Sequence, residues 1–200
     1  MDDIACGMGV NYNVMGLLFD ERKATEAASL FLALRGKRMH YMKLIKLLYL
    51  ADRMAILKRG IPITTDTYVS MDHGPVVSTI YDLIRRKMES PIWNEHISPP
   101  MGDKDKEVEL IKEPKLSRLS RAEEKLIREV FDHYGHWNRY RLRDFVMHQL
   151  PEWIDPEGTS LPITIAEILQ AGGTNKEEIS AIERELNTVG LAERSFRRTA

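Results

Sequence analysis

A long apolar segment, Tyr41 to Arg59, constrains the fold of this chain more than any other feature. It reads YMKLIKLLYLADRMAILKR, and apolar side chains surround almost its whole circumference when it is wound as a helix. A helix with so small a polar face is usually buried on most sides. Gly60 and Pro62 follow it and are typical of a helix end. We therefore expect the segment to form the central helix of a domain.

The polar residues of this helix fall in two places. Lys43, Lys46 and Arg53 form one narrow stripe, whereas Asp52 lies on the apolar face. A carboxylate on an apolar face destabilises the folded state unless it is paired or hydrogen-bonded. Asp52 is therefore either a buried structural acceptor or a partner-binding or catalytic group. The candidate partners of Asp52 are His73 and the hydroxyls of Tyr49, Tyr68 and Tyr81.

A His73-Gly74-Pro75 sequence follows the polar loop after this helix. Proline suits the first turn of a helix, so the pattern predicts a helix from Pro75 to about Met88 that carries Tyr81. Backbone amides at a helix N-terminus can bind an anion. His73 is therefore either a residue that orders the turn or part of a site for a carboxylate or phosphate.

The remaining segments predict further helices and little sheet. Apolar spacing indicates a helix from about Thr25 to Leu34, and short strands are predicted within Ile63–Met71 and Glu107–Ile111. Three capping boxes predict later helix starts: Ser120 with Glu123, Thr164 with Glu167, and Thr174 with Glu177. The expected fold is mainly α, a compact bundle of about six or seven helices with at most a short β-hairpin or arm.

Charge and composition disfavour several classes of function. The formal net charge of -1 indicates no general affinity for nucleic acid or membranes. A cluster of Arg139, Arg141 and Arg143 beside Tyr140 is interpreted as a solvated helix face. A single cysteine cannot form an intrachain disulfide and favours a reducing compartment, so we expect a cytoplasmic protein.

Residues that carry chemistry form no recognisable catalytic or metal-binding motif. His133 and His136 are three positions apart, but Gly135 interrupts the helix between them, and no cysteine pair exists. No serine lies in a nucleophile elbow, and no glycine-rich phosphate loop follows a strand. We predict no metal, no cofactor and no enzyme, with a hydrolase-like use of Asp52 and His73 as the alternative.

Several segments together resemble a known family. KLIKLLYLADR and GIPITTDTYVSMDHGPV, followed by IYDLI, are similar to the signature of the Panacea domain, also called the SocA-like antitoxin domain. LSRAEEKLIREVFDHYGHWNRYRLRDFVMH and PEW resemble its second half, although His148 and Trp153 are more widely spaced than in the family pattern. The resemblance covers about Phe19 to Ala171. The positions that match the motif are Leu48, Tyr49, Asp52, Gly60, Gly74, Pro75, Val76 and Tyr81.

The resemblance implies an antitoxin that neutralises a cognate toxin by direct protein–protein binding. The founding member acts as an adaptor that delivers its toxin to a ClpXP-type protease, so an adaptor is the alternative. The resemblance leaves open whether the protein forms a homo-oligomer. Membranes and nucleic acid are not expected partners. The division expected is an N-terminal arm (1–18), a Panacea-like helical domain (19–171) and a C-terminal helical extension (172–200). The candidate motif or partner-binding residues are Tyr49, Asp52, His73, Gly74, Pro75 and Tyr81.

Overall fold

The protein is mainly α-helical, as predicted, and a computed structural model describes its residues 17–102 and 106–198. This part of the chain contains eight α-helices rather than six or seven, and five short strands. The helices are α1 (Glu21–Leu34), α2 (Tyr41–Arg59), α3 (Ser78–Ile84), α4 (Pro91–His96), α5 (Arg121–Tyr134), α6 (Arg139–Phe145), α7 (Ile165–Ala171) and α8 (Lys176–Arg198). The strands are β1 (Arg38–His40), β2 (Tyr68–Ser70), β3 (Val76–Val77), β4 (Glu107–Glu109) and β5 (Leu161–Ile163).

Helix α2 is the central helix, and its bounds agree with those predicted. His40 caps its start, since Nδ1 of His40 accepts a hydrogen bond from the amide of Met42 at 3.1 Å. Gly60 ends it in the left-handed conformation, with φ of 74°. The helix packs against α1, α5, α6, α7 and β3. Its near-continuous apolar surface is therefore covered on several sides.

Helix α1 begins four residues before the predicted start because Asp20 caps it. The Asp20 carboxylate accepts a hydrogen bond from the amide of Lys23 at 3.0 Å. Further along, the buried carboxylate of Glu26 accepts from the backbone amides of residues 117–119. This side chain holds the segment that leads into α5 against α1.

The strands form two small antiparallel sheets. In one, β1 pairs with β4, so that Met39 lies opposite Val108. In the other, β2 lies between β3 and β5. Strands β2 and β3 make a short hairpin whose loop is residues 71–75. The predicted strand near residue 107 therefore pairs with β1, the strand that precedes α2, and the hairpin lies at the His73-Gly74-Pro75 sequence instead.

Two of the three predicted capping boxes are present, and the third is wrong. Ser120 with Glu123 starts α5, and Thr164 with Glu167 starts α7. Helix α8 is capped one residue later than predicted, because the side chain of Asn175 accepts from the amide of Glu178 at 2.9 Å. Helix α8 is also the longest described helix rather than a short one.

The predicted N-terminal arm falls mostly on residues 1–16, outside the described part of the chain. The next two residues, Leu17 and Leu18, are buried. The amide of Leu18 donates a hydrogen bond to Glu193 of α8 at 3.3 Å. The two ends of the described chain are therefore in contact, and the division at residues 18 and 171 stays a prediction.

Replacing Leu48 with alanine should lower the free energy of unfolding by roughly 2–5 kcal/mol, because it leaves a cavity beside α2. Leu48 has no exposed surface. Leu191→Ala is the matched control, since Leu191 is 60 % exposed, and it should cost less than about 0.5 kcal/mol. Urea denaturation of the two variants checks this. Equal costs at the two positions would contradict the central position of α2.

Candidate functional site

Asp52 lies on α2 with no exposed surface and holds the loop that follows the helix. Its Oδ1 accepts hydrogen bonds from the backbone amides of Ile63 and Thr64, both at 2.9 Å. Its Oδ2 accepts from the hydroxyls of Thr64 and Tyr68, the second at 2.9 Å. Of the four partners considered from the sequence, Tyr68 is the one that hydrogen-bonds to Asp52.

The environment of Asp52 suits a structural acceptor. Burial raises the pKa of its carboxyl group, and the hydrogen bonds from Thr64, Tyr68 and Ile63 oppose that rise. Both oxygens are occupied by donors, and the side chain has no contact with solvent. His73, by contrast, is exposed. The structure therefore does not bring Asp52 and His73 together as an acid–base pair.

Another buried carboxylate, Asp66, lies seven residues after the end of α2 and was not predicted from the sequence. Its Oδ1 accepts from the amides of Thr67 and Thr79, and its Oδ2 accepts from the amide of Ile80. Burial raises the pKa of Asp66 to about 6, and the hydrogen bonds that the carboxylate accepts oppose this rise. Asp66 thus caps α3, whose own N-cap residue, Val77, provides no side-chain hydrogen bond.

The predicted helix start at Pro75 is wrong. Val76 and Val77 form strand β3, and α3 begins at Ser78. These β-branched residues pair with β2, and Asp66 occupies the first amides of α3. An anion site built from His73 and helix amides is therefore absent here, because the amides are already satisfied and lie beyond β3.

The hairpin loop is held instead through three consecutive backbone carbonyls. The carbonyl of Met71 accepts from Nε1 of Trp153 at 3.0 Å. The carbonyl of Asp72 lies 3.2 Å from Nε2 of His148, which must carry a proton because a carbonyl can only accept. The carbonyl of His73 accepts from Nζ of Lys46. Three side chains from different parts of the chain thus position this loop.

Gly74 and Pro75 let the loop approach the rest of the protein closely, and both are buried. Gly74 has φ of +93°, a conformation that favours glycine. A Cβ atom there would lie 2.5 Å from Cβ of Met147. The ring of His148 stacks on Trp153 with centroids 4.3 Å apart. The loop therefore packs against the segment that follows α6.

Tyr49 contacts another buried carboxylate, that of Glu152. The Tyr49 hydroxyl donates to Oε1 of Glu152 at 2.9 Å, and Nε of Arg53 donates to the same oxygen at 2.6 Å. Burial and the charge of Glu152 hold the pKa of Tyr49 well above its usual range. The ring of Tyr49 packs edge-on against Tyr68 with centroids 5.5 Å apart. Tyr49 is thus a structural residue between two carboxylates.

Tyr81 lies on α3 near the start of α2 and is partly exposed. Its ring stacks on that of Tyr41 with centroids 6.3 Å apart, and its hydroxyl accepts from Arg85 at 3.1 Å. Burial and the nearby Tyr81 raise the pKa of Tyr41. Tyr81 therefore does not reach Asp52 and lies at the surface beside the beginning of α2.

A basic cleft of about 270 Å³ lies between the start of α2, the hairpin loop and α6. Lys46 is 2 % exposed and lies at its floor. Burial lowers the pKa of Lys46 to about 7, and the charge of Arg143 adds to this effect. The residues that line this basic cleft are His40, Tyr41, Met42, Lys46, His73, Lys106, Arg139, Tyr140 and Arg143.

The three arginines of α6 were interpreted from the sequence as a solvated helix face. Two of them line this cleft. Arg139 and Arg143 are partly buried, whereas Arg141 is exposed and lies over the ring of Trp137. A larger cavity, of about 650 Å³, lies between the start of α1 and the end of α8. It ends near Leu18, where the described chain begins, so the basic cleft is the better-defined site.

Residues 44–154 match the family model described as "Antitoxin SocA-like, Panacea domain". The match covers more than half of the 200 residues. The chain belongs to this family of SocA-like antitoxins. No curated protein and no solved structure matches the chain. The matched part of the Panacea domain runs from the first turns of α2 to the residue after Trp153 and is narrower than the resemblance seen in the sequence.

The matched Panacea region contains the buried carboxylates of Asp52, Asp66 and Glu152, a further one at Glu123, and the three side chains that hold the hairpin loop. Sequence analysis identified Asp52 and missed Asp66 and Glu152. The polar stripe of α2 was a usable signal, because each of its residues reaches a backbone carbonyl or carboxylate. Lys43 donates to the carbonyl of Gly135, and burial lowers the pKa of Lys43 to about 8.

Within residues 17–102 and 106–198, no three His, Cys, Asp or Glu side chains converge on a position that could hold a metal ion. None of the helices described is long and apolar enough to cross a membrane.

Asp52→Ala should destabilise the protein by more than about 3 kcal/mol, because it leaves several buried donors without an acceptor. Asp132→Ala, at an exposed position of α5, is the control and should change stability by less than about 0.5 kcal/mol. Urea denaturation followed by circular dichroism measures both. A loss below about 1 kcal/mol for Asp52→Ala would show that its hydrogen bonds contribute little.

The stability contributed by Lys46 should depend on pH. Its folded pKa of about 7 is below the ordinary value of 10.5, so the unfolded state binds more protons between these values. The free energy of unfolding of the wild type, relative to Lys46→Met, should therefore rise from about pH 7 to about pH 9.5. Urea denaturation at several pH values checks this, with Lys125→Met at an exposed position as control. Parallel pH profiles for wild type and Lys46→Met would contradict it.

Proposed function

We propose that this protein is an antitoxin that neutralises a cognate toxin by direct protein–protein binding in the cytoplasm. The observation that carries the proposal is the family match over residues 44–154, which includes α2, the hairpin and the segment that closes over it. The toxin is expected to be encoded beside this gene.

The internal contacts of the matched region support a scaffold rather than a catalytic centre. The carboxylates of Asp52, Asp66 and Glu152 each accept several hydrogen bonds from backbone or side-chain donors. Each of these residues is at most 7 % exposed. Groups held in this way stabilise the shape of a surface but do not contact a substrate. This argues against a hydrolase-like role for Asp52 with His73.

The exposed side of α6 supports binding of a protein partner. Tyr140 and Phe145 are 54 % and 71 % exposed, and they lie on the helix that borders the basic cleft. Aromatic residues and arginine are enriched among the residues that dominate binding energy at protein interfaces. Large aromatic side chains left in solvent on one short helix are typical of such a surface.

Co-expression with the toxin encoded beside this gene should restore growth to that of cells with an empty vector. The purified pair should elute as one complex on a sizing column, and light scattering of each protein alone gives its oligomeric state. An immunoblot of the toxin distinguishes the two routes. An unchanged toxin level with restored growth indicates masking, whereas loss of the toxin that depends on a ClpXP-type protease indicates an adaptor. If growth is not restored and no complex forms, the proposal is refuted.

A further inference from the structure

The basic cleft concentrates positive charge in a protein whose net charge is close to zero. Lys46, Lys106, Arg139 and Arg143 line it together with two histidines, and within residues 17–102 and 106–198 no carboxylate side chain lines it. The formal net charge of the whole chain is -1. Like charges gathered in a partly enclosed space repel one another and attract an anion.

Lys46 retains donor capacity toward the cleft. Among the described residues, the one acceptor that its Nζ reaches is the carbonyl of His73. An ammonium group carries three N–H donors. The residue is almost fully buried, so its remaining donors are not freely hydrated. A carboxylate that entered the cleft would supply the missing acceptor and counter-charge.

The two arginines are already oriented by the ring of Tyr140. The guanidinium carbons of Arg139 and Arg143 lie 4.6 Å and 5.6 Å from its centroid. Arg143 also pairs with Asp144 at 2.5 Å, outside the lining of the cleft. Side chains held in place before binding lose less conformational freedom when a partner docks.

The beginning of α2 adds to the positive potential. The backbone amides at a helix start carry a partial positive charge. The first turn of α2 contains no acidic residue that would offset it, and Tyr41 and Met42 from this turn line the cleft.

The size and surroundings of the cleft indicate which anion fits. Small-molecule sites usually enclose about 300–1,000 Å³. The cleft, at about 270 Å³, is below that range and suits one or two side chains. It opens beside α6, where Tyr140 lines it and is 54 % exposed, so a longer segment that entered it could also contact this ring. This continuity favours a protein segment over a free small anion.

We propose that the basic cleft is the docking site for an acidic segment of the partner protein, with one of its carboxylates bound between Lys46, Arg139 and Arg143. This inference rests on the proposed function, because it identifies the surface and the chemistry through which the toxin is recognised. Tyr140 contacts an apolar residue that flanks the acidic ones.

The first test measures binding of a defined probe to the intact protein. Fluorescence anisotropy is recorded with labelled octaglutamate, with octaglutamine as the neutral peptide and with an eight-nucleotide oligothymidylate. The cleft variant carries Arg139→Glu and Arg143→Glu. The control variant carries Arg141→Glu, on the opposite face of α6, and Lys125→Glu, on α5, so that both variants change the net charge equally. Circular dichroism and thermal melting establish that each variant is folded.

Octaglutamate should bind the wild type and the control variant, and its affinity should fall as the salt concentration is raised. It should bind the cleft variant at least about tenfold more weakly. Octaglutamine should not bind. Absence of octaglutamate binding, or equal binding by the cleft and control variants, overturns the inference. Tighter binding of oligothymidylate than of octaglutamate also overturns it and assigns the cleft to nucleic acid instead.

The second test uses growth rescue with the toxin encoded beside this gene and separates the two proposals. Rescue by the wild type and the control variant, but not by the cleft variant, supports docking at the cleft. Rescue by all three leaves the antitoxin function intact and overturns the inference about the cleft. Failure of the wild type itself refutes the antitoxin function, and in that case the peptide measurement still decides whether the cleft binds carboxylates.

Discussion

The hydrogen bonds to Asp52 connect the central helix to the loop that follows it and to strand β2 of the hairpin. Asp52 holds the amides of residues 63 and 64 against α2, and this places Asp66 where it caps α3. The intervening strand β2 then pairs with β3 and brings the loop of residues 71–75 over Lys46. Without the first of these contacts, a polar loop would have to cover an apolar helix with no acceptor for its buried amides.

Other buried carboxylates hold segments of the chain in the same way. Glu26 of α1 holds the amides before α5, and Glu152 accepts from Tyr49 and Arg53 of α2. Glu26 and Glu152 each join a helix to a segment more than 90 positions away in sequence, whereas Asp52 and Asp66 hold segments within 16 positions of themselves. The basic cleft results from this arrangement, because the hairpin loop and α6 both lie beside Lys46 of the polar stripe.

The sequence predicted the parts of this structure that depend on local pattern. The limits of α2, the cap at Ser120 and the position of Asp52 on the apolar face of α2 all follow from spacing within a few turns. The start of α3 did not follow, because Val76 and Val77 pair with a strand whose other neighbour, β5, lies far along the chain. The acceptor of Lys46 and the donors to Glu152 were hidden for the same reason, since each contact depends on how distant segments meet.

The loop of residues 71–75 has a consequence for how the chain acquires its structure during synthesis. Its carbonyls at Met71 and Asp72 receive donors that follow 82 and 76 positions later, from Trp153 and His148. A nascent chain that has left the ribosome only as far as α5 can form α2 and its Asp52 contacts, but it lacks the residues that close the loop. The surface beside Lys46 is therefore completed late, and a growing chain cannot present it until the segment around Trp153 has emerged.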